Sequence, residues 1–155
     1  MDGTEGVQIG DGALPVPAAG RSSEMTGPLT YLVVGAGGFV GANLRYIVGR
    51  WAVLRWGTDF PFGTLIINLA GCFILGLFAT LAARLAWSDA WRLLIAVGFV
   101  GAFTTFSTFE YETFDLVGHA SLARAGINIL ASLLFGFVAV CAGVMLARLL
   151  LRIHA

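Results

Sequence analysis

The sequence predicts an all-α membrane protein with four spanning helices, and three observations predict it. Of its 155 residues 58% are hydrophobic and only 12% charged, about half the charged share of a typical soluble domain. Mean hydropathy is +0.88. Apolar runs long enough to cross a bilayer, roughly 18 residues or more, recur along the chain. At roughly 20 residues per span, four helices fit once the polar N-terminus is set aside, and one compact domain is expected. Formal net charge is zero and all nine basic residues are Arg. No basic tract points to nucleic acid.

Residues 1–28 are polar, rich in Gly, Pro and Ala, and show no helical or strand period. They read as a disordered tail, ahead of a transmembrane domain over residues 29–155. No basic n-region leads into an apolar core, so a secretory signal is not expected. Met25 lies just before the first span, and the functional unit is expected to tolerate removal of residues 1–24.

The first span runs from about Leu29 to Val48 and holds Gly37 and Gly41 in a GxxxG, with Gly38 beside them. Small residues at that spacing let helix backbones approach closely, here within the chain. Arg45 falls near the end of the span and is expected to cap or pair. Gly49 to Asp59 reads as an interfacial loop, because Trp51 and Trp56 stand among Arg50 and Arg55. Pro61 opens the second span, about Phe62 to Ala83. Asn68 is the strongly polar side chain in its middle. Two readings of Asn68 stand: glue between helices, or an amide N–H donor to an anion. Trp87, Asp89, Trp91 and Arg92 mark the next interface.

The third span, about Leu93 to Val117, contains GFVGAFTTFSTFEYE, residues 98–112. Thr104, Thr105, Ser107 and Thr108 crowd four hydroxyls into five positions, and Phe103, Phe106 and Phe109 recur every third residue. As a helix this makes one aromatic stripe and two polar ones. In lipid every polar group needs a partner, so these stripes must face protein, water or an ion. Glu110 and Glu112 follow; they either face water or pair with Arg45 or Arg124. A loop around Gly118, His119 and Ser121 leads to the fourth span, about Leu122 to Leu150, where Asn128 and Ser132 lie one turn apart. Arg148, Arg152 and His154 close the chain. Cys72 and Cys141, deep in apolar runs, read as small core residues.

Arg residues near span ends are nearly balanced. Arg21, Arg84, Arg92, Arg148 and Arg152 fall on one side, against Arg45, Arg50, Arg55 and Arg124 on the other. Such a chain has little orientation bias. Insertion in both directions would permit an antiparallel homodimer with the inverted symmetry that larger transporters build by duplication.

GGFVGANLRY (37–46), GTLIINLAGCFILG (63–76) and GFVGAFTTFSTFEYE (98–112) together resemble the Fluc fluoride channels, also called CrcB proteins. The resemblance covers roughly Leu29 to Leu150. It implies four transmembrane helices with a broken third helix, in an antiparallel dual-topology homodimer with two fluoride pores. It further implies passive export of cytoplasmic fluoride across the plasma membrane, protecting the cell from fluoride toxicity. Position by position, it implies a fluoride path on Asn68, Phe106, Phe109, Ser107, Thr108 and Ser132, with Thr105, Glu112 and Arg45 associated. It implies a structural sodium ion at the dimer axis, bound by the backbone carbonyls of Gly101 and Thr104. The partners implied are fluoride, sodium, a second copy and membrane lipid, without nucleic acid. Glu110 departs from the family pattern, which leads one to expect a small or neutral residue there.

The residue chemistry agrees. Fluoride is small and strongly hydrated, so a pore must replace its water with donors. Asn68 offers N–H groups; Ser107, Thr108 and Ser132 offer O–H groups. Phenylalanine is electropositive at its ring edge, so Phe106 and Phe109 turned edge-on attract an anion weakly, as conduction requires. Gly101 lets the backbone leave helical geometry, freeing carbonyls that a shared cation would satisfy. Two rivals remain in view. A proton-coupled drug exporter resembles this chain in span number, but needs an acid in the first span, where only Arg45 is charged. A non-transporting assembly subunit would use the hydroxyls for packing alone. An enzyme is not expected, since neither His119 nor His154 has a catalytic or metal-ligating constellation.

Overall fold

The computed structural model describes residues 27–153; the tail with Met25, and His154, lie outside them. Every regular element among the described residues is helical. Four helices are long and apolar enough to cross a bilayer: Pro28–Trp56, Phe62–Arg84, Asp89–His119 and Leu122–Ile153.

The first span outruns its expected end. The sequence pattern opens a loop at Gly49, but the helix continues to Trp56 and stops at Gly57, whose φ of 75° suits glycine. Gly49 is a crossing point instead. A Cβ on Gly63 of the second span would lie 3.2 Å from the Gly49 Cα. At 1.5 Å per residue this helix is about 43 Å long, against a hydrocarbon core of about 30 Å. Its last two turns therefore suit the interface, where Trp51 and Trp56 meet edge-on at 5.0 Å and Trp56 continues onto Phe62 at 5.6 Å.

The spans pack as two pairs. The first lies along the start of the third: a Cβ on Gly98 would stand 2.5 Å from the Val34 carbonyl, and one on Gly41 would run into the Phe99 carbonyl. The second lies along the fourth: a Cβ on Gly76 would stand 2.5 Å from the Val140 carbonyl, and one on Gly143 would strike the Phe73 carbonyl. Lipid tails are as apolar as leucine, so close backbone approach replaces hydrophobic burial as the source of association.

The third span is not uniform. Asp89–Arg92 is α-helical, Leu93–Val100 is wound as a π-helix, and Gly101–Phe103 completes the first half. Thr104 (φ −79°, ψ 161°) and Thr105 (φ −153°, ψ 120°) are extended. Helix resumes at Phe106–Asp115 and runs through the π-helical Leu116–Ala120. Ser121, extended, is the hinge into the fourth span. The departure from helix is thus not at Gly101, which keeps helical angles (φ −60°, ψ −36°). It falls on two threonines whose hydroxyls compete for backbone partners: Thr104 Oγ1 donates to the Val100 carbonyl (2.9 Å), and Thr105 Oγ1 accepts from the Thr108 N–H (3.3 Å).

That extended pair also rephases the aromatic stripe a continuous helix would make. Phe103 is buried, at 3% exposure, and stacks on Phe99 at 5.6 Å. Phe106 is 74% exposed on the single chain, while Phe109 is buried at 7%.

Candidate functional site: a polar seam at the interrupted third span

Asn68 is built into the interruption. Its Oδ1 accepts from the Thr105 N–H at 2.9 Å and its Nδ2 donates to the Thr105 carbonyl at 3.0 Å. The side-chain amide thus closes the Thr105 N–H, which no helix serves, and adds a second donor to a carbonyl that starts the following helix. A backbone group left open in lipid costs several kcal/mol. The glue reading of Asn68 is realised in this way, and one Nδ2 hydrogen is left over for another acceptor. Thr104 sits close because the second span has no side chain opposite it: a Cβ on Gly71 would overlap the Thr104 methyl.

Below the interruption a helix begins again. Thr105 caps it, and its hydroxyl also donates to Thr108 Oγ1 at 2.9 Å. A helix N-terminus presents free N–H groups and the positive end of a dipole. Here it lies at the middle of a span.

Two cavities flank this point and share Thr105. The larger, of about 450 Å³, is lined by Arg45, Thr64, Thr105, Thr108, Glu112 and Asp115, and opens at the Gly57–Phe62 connection. Ten residues of helix separate Thr105 from Asp115, so the cavity reaches about 15 Å inward, half the hydrocarbon thickness. The smaller, of about 220 Å³, lies on the other side, against Asn68, Gly71, Thr104 and Phe106.

The remaining candidates distribute around these cavities. Phe106 and Phe109 have ring centroids 5.9 Å apart, tilted by 43°. Ser107 and Thr108 are exposed on the single chain. Ser132 is half-buried on the fourth span, and its Oγ is buried without a hydrogen-bond partner. Gly101 is exposed. Arg45 Nη1 donates to the Thr104 carbonyl over a long 3.4 Å. The two acids separate: Glu110 is exposed, whereas Glu112 is half-buried in the larger cavity, with Oε2 unpartnered. Neither pairs with Arg45 or Arg124. The ion pair among the described residues is His119–Asp115, at 2.9 Å within one helix. Arg124 instead donates to the Asp59 carbonyl at 3.4 Å.

A family profile described as CrcB-like protein, Camphor Resistance (CrcB), matches residues 32–144. The chain belongs to the CrcB family. Three curated relatives in that family are named fluoride-specific ion channel FluC. One from Acidobacterium capsulatum is 47% identical over 121 residues, covering 77% of this chain and 97% of its own. One from a Roseiflexus species is 44% identical, covering 79% and 99%. One from Chloroflexus aurantiacus is 46% identical, covering 76% and 94%. As a CrcB family member the chain is a multi-pass membrane protein and not an enzyme.

Sequence reading overlooked two side chains around the seam, Thr64 and Thr113, and gave Asn128 no partner. Thr64 lines the larger cavity beside Glu112; standing four residues before Asn68, it was findable from helical spacing. Thr113 and Asn128 are buried at 8% and 1% and joined by a hydrogen bond of 2.8 Å. Nothing in the local sequence pairs those two, because they lie on different spans.

Proposed function

We propose that this chain is a fluoride-selective channel, letting cytoplasmic fluoride leave passively across the plasma membrane and so protecting the cell from its toxicity. The observation that carries the reading is the pair of cavities meeting at Thr105. They bring aqueous depth to the mid-span point where a helix N-terminus, an amide with a spare N–H and several hydroxyls converge. An anion losing its water there meets donors and the positive end of a dipole. Arg45 in the larger cavity adds favourable charge. The names of the CrcB relatives support fluoride as that anion.

The path runs past Asn68, Phe106, Ser107, Thr108, Phe109 and Ser132. Ser132 Oγ, buried and unpartnered, is a donor free to turn to a passing ion. Glu112, with its open Oε2, stands where water enters. The working unit is an antiparallel dimer with two pores, which covers the Phe106 face that one chain leaves bare. The interrupted third span is then the family's broken helix, with sodium at the dimer axis. Thr105 N–H would serve the Gly101 carbonyl in an unbroken helix, but goes to Asn68. The Gly101 carbonyl is thereby released, and the Thr104 carbonyl has only the long Arg45 contact. Those two oxygens suit a hard monovalent cation.

Efflux from liposomes holding the purified chain tests the reading. Fluoride release without a proton gradient, and no release of chloride, is expected. Silence for fluoride, or equal release of both anions, would overturn it.

A further inference from the structure

We propose that Asn128 is a positioning residue that holds the second half of the third span, and with it Phe109, in register for conduction; this rests on the channel reading above. The half-helix Phe106–Asp115 has little apolar anchorage, since its buried residues are Phe109 and Thr113 alone. It is tied to the rest of the fold by hydrogen bonds. The first tie is Asn68 on Thr105, at its start. The second lies two turns on: Asn128 Nδ2 donates to Thr113 Oγ1 at 2.8 Å, and Thr113 Oγ1 donates to the Phe109 carbonyl at 2.7 Å.

This relay runs from the fourth span to the backbone of a proposed pore aromatic. A threonine hydroxyl bonded one turn back bends its helix, so the Thr113 bond sets the local curvature at Phe109. Asn128 fixes that hydroxyl against the fourth span. Asn128 is the largest fully buried side chain among the described residues, at 1% exposure. A buried amide is a costly choice in an apolar helix. One turn along the same helix is Ser132, so the fourth span presents an anchor and a proposed path residue on one face.

The test replaces both partners at once, Thr113→Val with Asn128→Leu. Swapping a bonded pair for apolar groups of similar shape is nearly neutral in stability, so the double variant is expected to stay monodisperse with a melting temperature near that of the parent chain. Its fluoride efflux is expected to fall about tenfold, and amide hydrogen exchange to rise over residues 106–115 and not elsewhere. Thr113→Ser, which keeps the hydroxyl, is expected to retain both parent values. A stable double variant with unchanged exchange over 106–115 overturns the proposal whether or not the parent passes fluoride, and one that no longer folds overturns it in favour of a purely structural pair. Raised exchange with parent efflux also overturns it. A parent chain that passes no fluoride sinks the channel reading; exchange alone then decides whether the anchor exists.

Discussion

The two halves of the third span adjoin in sequence and share little else. Residues 89–103 are apolar and wedged against the first span through Gly37, Gly41 and Gly98, with Phe103 buried at 3%. Residues 106–119 carry hydroxyls and carboxylates, bury little, and depend on side-chain amides from the second and fourth spans. The first half is held by shape and the second by hydrogen bonds. In a membrane the two differ in what they allow. Glycine crossings exclude everything, while a polar half-helix needs partners and accepts water or an ion as readily as protein.

The largest expected effect lies on the shape side. Gly41→Val puts a branched side chain into the Phe99 carbonyl; overpacking of backbone on backbone costs on the order of 3 kcal/mol or more. Loss of the monodisperse peak in size-exclusion chromatography is expected. Gly118→Ala in the second half has nothing within 4 Å of the new Cβ and is expected to change neither the elution profile nor the melting temperature. Equal damage from both would erase the distinction between the halves.

Next comes the junction. Asn68→Ala leaves the Thr105 N–H open and removes one donor from its carbonyl, at about 1–3 kcal/mol for the open N–H. A lower melting temperature and abolished fluoride efflux are expected together. Conduction surviving in a destabilised chain would make Asn68 glue alone.

Smaller and sharper is the pair Phe106→Ile and Phe109→Ile. Each removes an aromatic edge worth about 1 kcal/mol or slightly more, hence close to a tenfold drop in fluoride efflux. Their stabilities should part: Phe109 is buried within the chain and Phe106 lies on the face proposed to meet a second copy, so Phe109→Ile is expected to destabilise the protomer and Phe106→Ile the dimer. Unchanged efflux in both would remove the aromatics from the path. The smallest effect is expected from deleting residues 1–24, which should leave efflux as it is.

Much of the scaffold was legible in the sequence. Four apolar runs mark four spans, and Pro61 marks the start of the second at Phe62. The GxxxG of the first span announces a close crossing, and Gly41 makes one. Gly49 misled, because a glycine that admits a neighbouring backbone and one that ends a helix look alike in sequence. Gly57, and not Gly49, has the positive φ that ends this helix. Gly101 keeps helical angles, and the extended residues proved to be Thr104 and Thr105. That shift of phase hid the fate of the phenylalanine stripe.

For the candidate site, crowded hydroxyls on the third span and a mid-span asparagine on the second pointed to the region where the structure brings Asn68 onto Thr105. What they contact did not follow. The Asn68 amide closes around Thr105, 37 residues away, and Thr113 meets Asn128, 15 residues away. Such pairings depend on how helices cross, which local periodicity does not encode. The separate placement of Glu110 and Glu112 likewise needed the cavity, since two residues along a helix turn a side chain to a different face.

The most direct measurement is cysteine accessibility coupled to efflux. In a background with Cys72→Ala and Cys141→Ala, Thr108→Cys places a thiol in the second half and Val97→Cys places one on the exposed face of the first. A water-soluble thiol reagent is expected to label Thr108→Cys and block fluoride efflux, and to leave Val97→Cys unlabelled and conducting. Labelling of Thr108→Cys without loss of efflux, or equal block at both positions, would contradict a conduction path confined to the polar half of the third span.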